Sequence, residues 1–146
     1  MSNQVPNAWK SQLWKGYLSD TFKIILMQPG FTFDKDSHKS YSDVSAFELP
    51  NGNGYTTGGE TLTGIARTTD DVEDRCEITW NNVQWNASGG SLSTCGAIIY
   101  NDSAAIADGY DYDDAIVAFI DAGGTITATD GTPIIISSIM ITIEDV

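Results

Sequence analysis

The chain has 146 residues, 18% of them charged, and a formal net charge of −13. That length suits one domain able to bury a core without staples. So acidic a surface repels phosphate backbones and anionic lipid, which disfavours nucleic acid and membrane as partners. The charges are also unevenly spread. Lys10, Lys15, Lys23, Lys35 and Lys39 precede Ser40, no cation follows Arg75, and residues 76–146 carry ten carboxylates. This polarity serves solubility, or makes a surface that faces solvent or a basic partner.

Residues 1–6 read as a loose arm, and 1–20 as an arm plus one short helix. Trp9, Leu13 and Tyr17 fall at i, i+4 and i+8, which predicts a helix over Asn7–Gly16 with Trp14 and Leu18 beside that face. Pro6 and Gly16 are suitable boundary residues. A helix this short must dock on something, its own sheet or a neighbouring subunit. The N-terminus lacks a basic region followed by an apolar core, so no secretion signal is read there. No apolar run approaches the ~20 residues of a membrane span.

From residue 21 the period becomes strand-like. Phe22–Met27 is apolar on nearly both faces, as in a buried strand, and Gln28-Pro29-Gly30 ends it. A short helical or turn segment is expected at Asp43–Glu48, and a turn at Asn51–Gly54. Thr61 to Thr69 alternates. Around Asn81-Asn82, a two-residue loop would bring Trp80 to Val83 and Ile78 to Trp85, and a bulge would restore the same face. Cys95–Tyr100, Ala115–Ile120 and Ile134–Ile143 complete seven or eight strands. The predicted class is all-β, a β-sandwich or jelly-roll-like domain over 21–146 with a short N-terminal helix.

Candidate chemistry is sparse. His38 stands in a polar stretch and reads as a surface-loop residue. No G-x-S-x-G elbow accompanies it, and no carboxylate pair is singled out for glycoside hydrolysis. Cys76 and Cys95 form no CxxC, and a single histidine cannot complete a zinc site with them. Free buried thiols are expected, with a disulfide open only if their strands are neighbours. Asp70–Asp74 and Asp108–Asp114 are acidic clusters that could attract calcium, but neither has EF-hand spacing, and solvated loops are the expected state. Tyr110 and Tyr112 could make the second loop an amphipathic contact surface. No catalytic residue, cofactor or metal is predicted.

Several motifs occur in one order: Thr21–Met27, Tyr41–Ser45, Asn53–Leu62, Thr69–Asp71, Trp80–Trp85, Gly96–Tyr100 and Ala118–Asp121. This succession, over roughly residues 8–145, resembles a family of small tailed-bacteriophage structural proteins, some of them similar to head decoration (cement) proteins. The resemblance implies a non-catalytic β-sandwich subunit that oligomerises as a trimer at capsid threefold positions. It would be assembled in the host cytoplasm and bind the major capsid protein on the outside of the head shell. The family begins with a short amphipathic helix, as Asn7–Gly16 would be here, whereas Cys76 and Cys95 are not part of its pattern. On this reading Trp9, Lys10, Leu13, Trp14 and Tyr17 form the partner contact, because an apolar, lysine-bearing segment contrasts with the acidic remainder. The alternative is a tail or fibre component that binds a receptor or carbohydrate.

Overall fold

A computed structural model describes residues 5–144, apart from the side chains of Trp9, Ser11 and Gln12. The fold is all-β: the described residues form nine strands in antiparallel sheets and two short α-helices. The chain divides into two compact units.

One unit holds α1 (Asn7–Gln12), β3 (Ala66–Asp70), β4 (Arg75–Thr79) and β9 (Met140–Glu144). Its three strands pair in the order β3-β4-β9, and α1 packs against β3 and β4. Cys76 and Ile78 alternate inward on β4 and are fully buried. The helix is shorter than its apolar spacing predicted. It gives way to a 3₁₀ turn at Lys15–Tyr17, where the amide of Tyr17 donates to the Trp14 carbonyl at 3.0 Å. A six-residue helix cannot persist alone, so its position is set by docking on its own sheet.

The second unit holds β1 (Phe22–Met27), α2 (Tyr41–Val44), β2 (Glu60–Thr61), β5 (Val83–Asn86), β6 (Leu92–Asn101), β7 (Ile116–Ala128) and most of β8 (Pro133–Ile136). Its larger sheet has the order β2-β1-β6-β7, and β5 pairs with β8. The unbroken apolar run of β1 is explained by its central place: Ile24, Ile25, Leu26 and Met27 are all fully buried, so both faces of the strand are covered. Below one face, Ile25, Met27, Val44, Ile98 and Tyr100 make a core flanked by Phe31, Phe33 and Phe119. Strand β7 reaches beyond the expected Ile120. Opposite Cys95 its register jumps from Asp121 to Ile126, so residues 122–125 bulge outward at Gly123 and Gly124.

Three sequence expectations are corrected. The pairing of Trp80 with Val83 and of Ile78 with Trp85 does not form, because β4 pairs with β3 and β9 whereas β5 pairs with β8. Neither Asn81 nor Asn82 takes the positive φ of a tight hairpin turn. Asn81 instead bonds Thr63 through its amide and side chain, and the Asn82 carboxamide accepts from the Ser138 amide. The alternating run from Thr61 to Thr69 is two strands, separated by Gly64 at φ +68°. The run from Ile134 to Ile143 is also two, parted by Ser138 at φ +54° and placed in different sheets.

Candidate functional site

The predicted contact residues do not share one fate. Lys10 is turned inward and is only 2% exposed. Its Nζ donates to the Asp74 carbonyl at 2.6 Å and to Asn7 Oδ1 at 3.2 Å. Asp74 presents that carbonyl from a left-handed turn at φ +51°, and Asp71 accepts from the Asn7 carboxamide. The lysine therefore fastens the helix to the β3–β4 turn through the Asp74 backbone carbonyl. Leu13 and Tyr17 stay at the surface, 50% and 39% exposed. Half-buried Trp14 meets Tyr17 edge-on at 6.0 Å. Leu13, Trp14 and Tyr17 thus leave a small apolar surface open. The Trp9 side chain lies outside the described residues.

The most organised polar centre was not singled out in the sequence. Glu48 is 3% exposed and follows the 3₁₀ turn Ser45–Phe47. Its carboxylate accepts from Tyr41 Oη at 2.5 Å, Tyr55 Oη at 2.6 Å and the Gly58 amide at 2.7 Å. The Tyr55 hydroxyl oxygen in turn accepts from the Leu26 amide at 3.1 Å. Tyr100 stacks on Tyr41 at 4.8 Å and donates to the Gly58 carbonyl at 3.4 Å. Burial, reinforced by the bond to Glu48, pushes the hydroxyls of Tyr41 and Tyr55 well above the usual tyrosine range. Burial does the same for Tyr100. The Tyr41 and Tyr55 hydroxyls stay protonated and donate to the carboxylate. A buried charge needs such donors, and here neutral donors replace a cation.

The groups around Glu48 come from the motif segments on either side of it, although Glu48 itself lies between them. The Tyr41–Ser45 segment opens α2, where Ser40 and Asp43 form a capping box. The segment from Asn53 supplies Tyr55 and Gly58, and Gly59 runs so close to the Ile24 carbonyl that no Cβ would fit. These motif residues serve the interior. A sequence signal for Glu48 did exist: an acid between Phe47 and Leu49, with tyrosines seven residues away on each side.

The acidic clusters are similarly committed. Asp70 accepts from the amides of Val72 and Glu73, and Arg75 Nε donates to Glu77 at 2.8 Å. In the second cluster Asp113 accepts from the Ile106 amide. Tyr110 and Asn101 both donate to Asp20 Oδ2, at 2.7 and 2.8 Å. Among the described residues, no group of three or more acidic, histidine or cysteine side chains is placed to hold a metal ion. Burial raises the Asp114 carboxyl above its ordinary range, with Asp102 and Asp113 adding to the shift. Only Tyr112 of the two loop tyrosines is open, 41% exposed with Lys39 Nζ 5.6 Å from its ring centre.

His38 differs from the expected surface-loop residue. It is half-buried, stacks on Phe31 at 5.4 Å and lies 5.7 Å from Phe33. Its Nδ1 accepts from the Asp34 amide at 3.0 Å, which places the proton of the neutral ring on Nε2. Phe31, His38 and Phe47 line a shallow hollow of about 420 Å³ with Gln28, Pro29 and Thr32. Cys95 and Cys76 are both free thiols, and Cys95 Sγ donates to the Gln28 carbonyl at 3.1 Å. No known family model, curated protein or solved structure matches this chain.

Proposed function

We propose that this chain is a bacteriophage virion structural protein that binds and stabilises the assembled head shell as a decoration protein. The observation that carries the reading is the N-terminal segment. Lys10 anchors it from within, and Leu13, Trp14 and Tyr17 are left as an apolar patch on a chain of net charge −13. Aromatic and apolar side chains held on a fixed backbone are the usual anchors of protein interfaces. The motif residues support a scaffold role, because Tyr41, Tyr55 and Gly58 are spent on an interior carboxylate. Several carboxylates elsewhere are engaged by Arg75, by backbone amides or by tyrosine, an arrangement that suits a binding protein better than a catalyst.

The partner contact now rests on Leu13, Trp14 and Tyr17, with the major capsid protein as the surface they meet. The test is co-sedimentation of purified protein with shells that lack it. Saturable binding is expected, and the Leu13→Ser, Tyr17→Ser double variant weakens it at least about tenfold through lost apolar burial. Absence of the protein from the shell pellet would reject the reading. A tail or fibre role in glycan binding would rest on Tyr112 alone, because the Tyr110 hydroxyl is held by Asp20.

A further inference from the structure

We infer that His38 is an acid-operated latch on the turn 34–38: its neutral ring holds the turn closed, and a proton on that ring opens it. Two bonds clasp the ends of the turn. The His38 amide donates to the Asp34 carbonyl at 2.9 Å, and the Asp34 amide donates back to His38 Nδ1 at 3.0 Å. Within the turn, the Asp36 amide donates to Asp34 Oδ1 at 2.9 Å. The imidazole is held against two phenyl rings, Phe31 at 5.4 Å and Phe33 at 5.7 Å. Both of these pack in turn on Phe119. The ring is thus positioned by the fold, with its acceptor nitrogen aimed at one backbone amide.

Neutral imidazole carries one acceptor nitrogen, whereas imidazolium carries none and donates from both. A backbone amide is a donor only. The bond from Asp34 to Nδ1 therefore exists in the neutral ring alone, and protonation sets donor against donor. The charged groups around the ring offer it other partners. On its own segment these are Asp34, Lys35, Asp36 and Lys39, and α2 adds Asp43. The Asp36 amide holds Asp34 below the ordinary carboxyl range and the Lys39 amide does so for Asp43, with a charge on His38 adding to both. Both acids are thus ionised where histidines titrate, and they draw the imidazolium to themselves. Residues 28–33, which the ring packs on, and the turn Ser45–Phe47, which shares its hollow, bring no charged side chain. The Cys95 thiol is bonded to the Gln28 carbonyl, and Glu48 is taken by its three donors. The same proton turns the wall that His38 gives to the hollow beside Phe31 and Phe47 from neutral to cationic.

This latch is independent of the N-terminal patch and of shell binding. His38 is the only histidine, so a histidine titration in this chain belongs to one residue. The experiment follows the ring nitrogens and the backbone amides of the isotope-labelled full chain by NMR from about pH 8 to about pH 5. At the upper end the ring is expected with its proton on Nε2. On acidification the Asp34 amide signal should move with the same midpoint as the ring. Its hydrogen exchange, corrected for the intrinsic effect of pH, should quicken about two- to tenfold, as the loss of one neutral bond implies. His38→Phe keeps a stacking ring without an acceptor, so its Asp34 amide should exchange fast and hold a constant shift over the whole range. A proton on Nδ1 at the upper end would overturn the inference. So would a ring that takes up no proton over the range, or an Asp34 amide that ignores the ring's titration or moves equally in His38→Phe. Should His38→Phe fail to fold, the titration of the parent protein alone decides.

Discussion

Replacing Glu48 with Gln keeps the size of the side chain and removes its charge. In the parent, three donors converge on the carboxylate at 2.5–2.7 Å in a site that is 3% exposed. An amide offers only one acceptor oxygen. If that oxygen takes the place of Oε1, Tyr55 and Gly58 keep neutral bonds, and the new NH₂ faces the Tyr41 hydroxyl. Hydrogen bonds to a charged group contribute about 1.5–3 kcal/mol and neutral ones about 0.5–1.5. Downgrading two bonds and reversing the third therefore costs about 2–4 kcal/mol. For a domain of this size that lowers the thermal midpoint by roughly 4–16 °C. Calorimetry measures the shift, and hydrogen exchange should show faster opening at Gly58 and along residues 51–59. A midpoint within about 1 °C of the parent, with unchanged exchange there, would refute a carboxylate-centred fold.

Three further predictions follow from single positions. Gly59→Ala should leave little folded protein, because its Cβ would enter the Ile24 carbonyl at φ +65°, whereas Gly16→Ala meets nothing and should be neutral or mildly stabilising; soluble yield and melting compare the two. Lys10→Met should destabilise the first unit by about 1.5–3 kcal/mol, because the Asp74 carbonyl loses the charged donor of a buried lysine, and urea denaturation measures it. Asp114 is raised in the folded state by burial, so its ionisation works against folding as pH rises through the folded value; Asp114→Asn should raise the midpoint near neutral pH, with the gain vanishing under acid.

What could be read from the sequence was local. Phe22–Met27 was legible because a continuous apolar run needs cover on both faces, and β1 has it. Cys95–Tyr100 lies within β6 for the same reason. The short helical segment announced at Asp43 forms from Tyr41, one residue after the Ser40 cap. Illegible were the features set by distant partners. Asn81-Asn82 has hairpin composition, yet its side chains answer Thr63 and Ser138. Ser138 breaks an isoleucine-rich run at a positive φ that composition does not announce. Lys10 looked like a surface cation because helical spacing gives a face without saying which carbonyl waits across it. In the sequence Glu48 is one acid among twenty, and its burial depends on strands and loops that meet only in the fold.

The central proposal is a shell-binding protein whose N-terminal apolar patch makes the contact. The most direct measurement is site-specific photo-crosslinking on shells carrying the protein, with the probe at Leu13 or at Val72, which is 88% exposed in the same unit. The account predicts that the probe at position 13 captures the major capsid protein and the probe at 72 does not. Capture from neither position, or from 72 alone, would contradict it.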